Sequence, residues 1–127
     1  MEKEERPYGY ELILDLHGCD VSKFNRTSLD GYFEKLCKAI KMQKCERYFW
    51  DDVGLPPEKR QTSAQTKGSS AVQFILTSSI VIHTLDLLEA VYVNIFSCKE
   101  FDKEVAEKIT KEWFGANGCS ARFIERI

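Results

Sequence analysis

The sequence predicts an α+β fold: a two-layer α/β sandwich in which two helices cover one face of a largely antiparallel sheet. Three observations point there. Runs rich in Val, Ile, Phe and Tyr recur at 71–77, 80–84 and 90–97, as strands prefer. Two stretches, one in each half, carry the apolar step of an amphipathic helix. The 127 residues suit one domain, 1–127, able to bury a core without disulfides.

Taken in order, residues 10–17 (YELILDLH) alternate Tyr10, Leu12, Leu14 and Leu16 with Glu11, Ile13, Asp15 and His17, the period of a half-buried strand. Gly18-Cys19-Asp20 ends it. Thr27 or Ser28 is the expected cap of a helix with Leu29, Phe33, Leu36 and Ile40 on one face. Asp30 and Glu34 near its start, and Lys38 and Lys41 near its end, suit the helix dipole. CERYFW (45–50) reads as an aromatic strand. Residues 51–70 hold two prolines, two glycines and many polar side chains, so they read as one long loop. Three strands follow, then a helix capped by Asp102 with Val105, Ile109 and Trp113 on one face, stopped at Gly115 or Gly118. CSARFIERI alternates again and suits an edge strand.

Composition excludes several classes. With 43% hydrophobic and 30% charged residues the chain is not disordered. A net charge of −2, with no basic run, offers nothing to nucleic acid. The opening MEKEERPYGYELILDL is charged and interrupted by Glu11 and Asp15, unlike a signal peptide. No stretch approaches the roughly 18 apolar residues of a membrane span. A cytoplasmic protein with reduced thiols and no membrane partner is expected. Cysteines 19, 37, 45, 98 and 119 form no C-x-x-C pair, so no metal site is expected. His17 and the cysteines other than Cys98 have structural places on strand ends or helix faces.

The chemistry-bearing residues concentrate at Ser69, Ser70, Thr77, Ser78, Ser79, His83 and Cys98. Small hydroxyls at 77–79 interrupt two apolar runs, where packing favours Val, Ile or Leu. A tight Thr-Ser-Ser turn explains them without any chemistry. The competing possibility is that a meander gathers hydroxyl, imidazole and thiol. Ser78 and His83 are five residues apart, roughly 17 Å along a strand, so they meet only through a turn, a bulge or a site shared between strands.

LTSSIVIHT, with NIFSC fifteen positions beyond His83, resembles the small prokaryotic S-adenosylmethionine decarboxylases. In that family a Ser is followed five residues on by a His within I-H-T, then by a Cys fifteen further on. Ser78, His83 and Cys98 match all three, and Ser70 matches an upstream serine. GYELILDLHGCD is similar to the family's opening strand. The resemblance covers about 9–20 and 68–127.

It implies a pyruvoyl-dependent carboxy-lyase that cleaves itself between Thr77 and Ser78 and turns Ser78 into its cofactor, a covalent pyruvate. By that resemblance His83 removes the α-proton during cleavage, and Ser70 holds or relays protons. The substrate amine forms a Schiff base with the pyruvoyl carbonyl, which accepts electrons as CO₂ leaves. Cys98 returns the proton. The implied product is the aminopropyl donor of spermidine biosynthesis, and the implied assembly is a homodimer with sites near the subunit interface.

The sequence also departs from the family. Thr77 stands where Glu precedes the serine, and Ser79 where His follows it. Leu85-Asp86-Leu87 replaces the Trp-Pro-Glu whose Glu is implicated in ribose recognition. Asp86 or Glu89 is the candidate substitute, and Phe49 or Trp50 the candidate for stacking on adenine. These changes keep two alternatives open: an unprocessed homologue acting as a binding or regulatory partner, or a decarboxylase of ornithine or arginine.

Overall fold

In the computed structural model, which describes residues 6–127, the elements follow the expected order. They are β1 (Gly9–His17), α1 (Arg26–Ala39), β2 (Lys44–Trp50), β3 (Gly68–Ile75), β4 (Ser78–Leu85), β5 (Ala90–Ser97), α2 (Lys103–Phe114) and β6 (Gly118–Arg126). The charged opening at residues 1–5 lies outside the described residues. One sheet in the order β2-β3-β4-β5-β1-β6 contains all six strands, and each pairing is antiparallel. β6 is an edge strand, as its alternation suggests.

The alternation of β1 explains the layers. Leu12, Leu14 and Leu16 are buried together with Ile80, Ile82, Val91, Val93 and Ile95 from β4 and β5. Leu29, Phe33 and Leu36 of α1 seal that side. Asn25 caps α1 through the Ser28 N–H at 2.9 Å, so the helix begins before the expected Thr27 or Ser28. Asn25 is extended there (φ −154°), which lets its side chain fold back over the first turn. Asp102 caps α2 as expected, accepting from Glu104 and Val105, and Gly115 ends it in the left-handed region at φ 60°.

The deepest residues of α2 are Ala106, Thr110 and Phe114, one position on from the expected Val105, Ile109 and Trp113. That trio packs partly buried beside the core. The rotation places the Thr110 hydroxyl 2.7 Å from the fully buried Tyr32 hydroxyl of α1.

Two expected boundaries move. The long loop closes at Lys67, because Gly68, Ser69 and Ser70 already pair with β4. The hairpin turn is not Thr-Ser-Ser: Ile75 pairs with Ser78, so Leu76 and Thr77 alone connect the strands. Backbone pairing decides this, and hydroxyl content does not reveal it.

The other face of the sheet carries no helix. Tyr48, Trp50, Phe74 and Ile124 stand exposed on it, with half-buried Val81, Tyr92, Asn94 and Phe96 between them. Among the described residues no helix is long and apolar enough to cross a membrane, and no cluster of His, Cys, Asp and Glu could hold a metal ion.

Candidate active site

Antiparallel register places Trp50 opposite Ser70, Ser70 opposite His83, and His83 opposite Tyr92. These four residues form a row across β2 to β5 on the open face. Cross-strand partners on one face lie within side-chain reach, and the Ser70 hydroxyl sits 2.7 Å from His83 Nδ1. That bond orients the imidazole and leaves Nε2 for another partner. The row lines a cleft of about 550 Å³ whose far wall is the long loop, through Gln61, Gln65 and Thr66.

That loop is held in place. Asp51 takes both ends of the Arg26 guanidinium, at 2.7 and 3.0 Å. Asp52 accepts the Gln61 N–H at 2.7 Å, and Arg60 Nε donates to the Leu55 carbonyl at 2.7 Å.

A second cluster forms at the tip of the β3–β4 hairpin, where β5 ends. The Cys98 N–H donates to Ser78 Oγ at 3.0 Å. Thr77 Oγ1 lies 3.0 Å from Cys98 Sγ and donates to the Leu76 carbonyl at 2.7 Å. The Thr77 hydroxyl first, and the Ser78 hydroxyl second, hold the Cys98 thiol below its ordinary pKa. Thr77 adopts φ 52°, left-handed backbone that a β-branched residue rarely occupies.

The two clusters are separate within one chain. Ser78 shares the helix-covered face with Ile80, Ile82 and Thr84, whereas His83 points to the open face. Five residues of strand, roughly 17 Å, lie between them. The tight-turn explanation therefore accounts for the distance to His83 but not for Cys98, which the end of β5 brings against Ser78. His83 does not reach its own chain's Ser78 in this geometry.

Among the weaker candidates, Trp50 lines the cleft while Phe49 faces the helices, beneath the Arg26 guanidinium and against the core. Asp86 follows Leu85 at the rim of the cleft. One of its carboxylate oxygens is buried without a hydrogen-bond partner, and desolvation raises its pKa. Glu89 is exposed in the β4–β5 turn at φ 50°. Sequence reasoning missed Tyr92, Gln61 and Gln65. Tyr92 is legible only once the β4–β5 register is known, and the two glutamines only once the loop is seen to fold back.

Comparison with known proteins bears on this geometry. A family model described as S-adenosylmethionine decarboxylase matches residues 10–127. Among solved structures, the chain is similar to the adenosylmethionine decarboxylase of Aquifex aeolicus VF5. The TM-score is 0.76 at 18% identity, with 96% of this chain and 92% of that one covered. At that identity the likeness concerns the fold. No curated protein sequence matches the chain.

Proposed function

The chain belongs to the S-adenosylmethionine decarboxylase family, and on that premise we propose that it is a self-processing pyruvoyl-dependent S-adenosylmethionine decarboxylase whose product feeds spermidine synthesis. The observation that carries this is the hairpin tip, where Ser78 and Cys98 converge beside Thr77 and its left-handed backbone.

In the first step Ser78 Oγ bonds to the Thr77 carbonyl carbon and the Thr77–Ser78 C–N bond breaks, leaving an ester. Loss of the Ser78 α-proton then expels the Thr77 carboxylate from the Ser78 β-carbon. Water replaces the resulting imine nitrogen, which departs as ammonia, and residue 78 becomes the pyruvoyl end of residues 78–127. The site fits such a group: the Cys98 N–H, which Ser78 Oγ accepts at 3.0 Å, is a donor already aimed at an oxygen there. When formed, the pyruvoyl carbonyl supplies the electron sink for loss of CO₂. Cys98, half-buried and of lowered pKa, returns a proton to the α-carbon. Trp50 in the His83 cleft and Asp86 at its rim would flank the base and the ribose only from the other copy of a dimer.

His83 and Ser70 enter through a homodimer. An isologous pair stacking open face on open face, with its axis near Val81, would set His83 of each copy across from the backbone of residue 78 of the other, whose Oγ points to the helix-covered side. Sheets packed about 10 Å apart would leave the imidazole facing the other copy's hairpin tip across the gap. The exposed Trp50, Tyr48 and Phe74 on that face support such burial.

Subunit mixing tests both parts. Ser78→Ala and His83→Ala chains should each fail to cleave and decarboxylate alone. Mixed freely, half the dimers are hybrids with one complete site of two, so activity on S-adenosylmethionine should return to about a quarter of normal. Intact mass should show cleavage of the His83→Ala chain alone. Mixtures with neither cleavage nor activity would refute the shared site. Wild-type protein that never cleaves would refute the pyruvoyl enzyme altogether.

A further inference from the structure

Thr77 contributes only its carbonyl to the cleavage chemistry above, yet its side chain makes the closest polar contact to the Cys98 sulfur. The Thr77 hydroxyl bridges two groups, Cys98 Sγ at 3.0 Å and the Leu76 carbonyl at 2.7 Å. It has one proton to give. With a neutral thiol, the S–H points at Thr77 Oγ1 while the threonine proton goes to Leu76. With a thiolate, the threonine proton turns to the sulfur. We propose that the Thr77 side chain is a positioning residue for Cys98, fixing where the sulfur sits over the hairpin tip and stabilising its thiolate more than its thiol.

The left-handed backbone of Thr77 (φ 52°) supports this, because it directs the side chain across the tip at a steric cost that a glycine or asparagine would not incur. The surroundings leave few competitors, the Leu76 carbonyl at 3.9 Å from Cys98 Sγ being one. Residues lining the adjoining cavity are Met42, Gln43, Ile75, Leu76, Ser78, Ser97 and Lys99. Lys99 is the charged member of that set, and its ammonium is committed to the Lys41 carbonyl at 2.7 Å. Ser78 offers Cys98 a second hydroxyl, which the proposed processing consumes. Cleavage leaves Thr77 its hydroxyl, beside the new carboxylate that its own carbonyl becomes. The role rests on the decarboxylase proposal for its purpose, but not for its test.

The test reads the thiol in chains that cannot cleave. Ser78→Ala protein is alkylated with iodoacetamide across a pH series, and modification of Cys98 is followed by peptide mass, which separates it from the exposed Cys45. Adding Thr77→Val removes the hydroxyl and keeps the branched shape. The alkylation midpoint should move to higher pH, and the rate near pH 7.5 should fall about three- to ten-fold with the thiolate fraction. Adding Thr77→Ser should restore most of it. A midpoint unmoved by Thr77→Val would overturn the proposal, and so would a Thr77→Ser profile identical to that of Thr77→Val. The same series in the Ser78 background, with the cleaved fragment quantified separately, guards against misfolding of the alanine variant. Self-cleavage and CO₂ release are scored apart, so their absence would count against the enzyme and leave the thiol measurement intact.

Discussion

Replacing Thr77 by glycine should make the uncleaved protein more stable and its cleavage slower. An L-residue in the left-handed region costs about 1–2 kcal/mol, with a β-branched one near the upper end. Glycine removes that cost but gives back about 0.5–1 kcal/mol through its freer unfolded chain. The Thr77 side chain is exposed, so water replaces most of what its hydroxyl gives Leu76 and Cys98 and little offsets the exchange. The net gain is about 1 kcal/mol, or roughly 3–5 °C in Tm for a domain of this length. If the strain is released as Ser78 attacks, removing it from the ground state slows cleavage about five-fold. Stability is read by thermal unfolding in the Ser78→Ala background, where no chain is cut, and cleavage by timed intact mass with Ser78 present. Thr77→Val keeps the branched Cβ and should gain no stability. If Thr77→Gly unfolds at the same temperature as the parent or below it, the turn is not strained and the link to processing fails.

Other perturbations follow from the same geometry. Thr110→Val strands the fully buried Tyr32 hydroxyl and should cost about 1–3 kcal/mol, whereas Tyr32→Phe should cost about 1 kcal/mol. The double variant should cost less than the sum, and strict additivity in chemical denaturation would show that the two hydroxyls are not coupled. The Arg26 guanidinium holds the Asp51 carboxylate below its usual pKa. The stability it lends is therefore full above the unfolded value of about 3.9 and is lost as pH falls through the lower folded one. The Tm gap between wild type and Asp51→Asn should begin to shrink near pH 4 and close only below the lower folded value, and a gap independent of pH would count against the pair. Burial raises the Asp86 pKa, so its charge opposes folding at neutral pH. Asp86→Asn should raise Tm at pH 7 and weaken substrate binding, and a raised KM with unchanged kcat would locate its role in binding.

Much of this was readable along the chain because it depends on local periodicity. Leu12, Leu14 and Leu16 alternate with polar neighbours, and Leu29, Phe33 and Leu36 keep helical spacing. Burial of those sets forces a sheet with helices on one side. Asp102 and Gly115 mark their helix ends through backbone chemistry that neighbouring residues supply. The α2 face was displaced by one position because the small Ala106 and Thr110, rather than the larger Val105 and Ile109, let that helix approach Tyr32. That preference belongs to the partner helix and is invisible within 103–114.

The site divides in the same way. Sequence alone singled out Ser70, Ser78, His83 and Cys98 as the candidates, because residue type and spacing are properties of the chain. Tertiary structure decided how they are shared out. A side-chain period of two sends Ser78 and His83 to opposite faces of β4, while antiparallel register hands Ser70 to His83 and the end of β5 hands Cys98 to Ser78. Residues distant in sequence become neighbours only through strand pairing, so a motif that reads as one cluster folds into two.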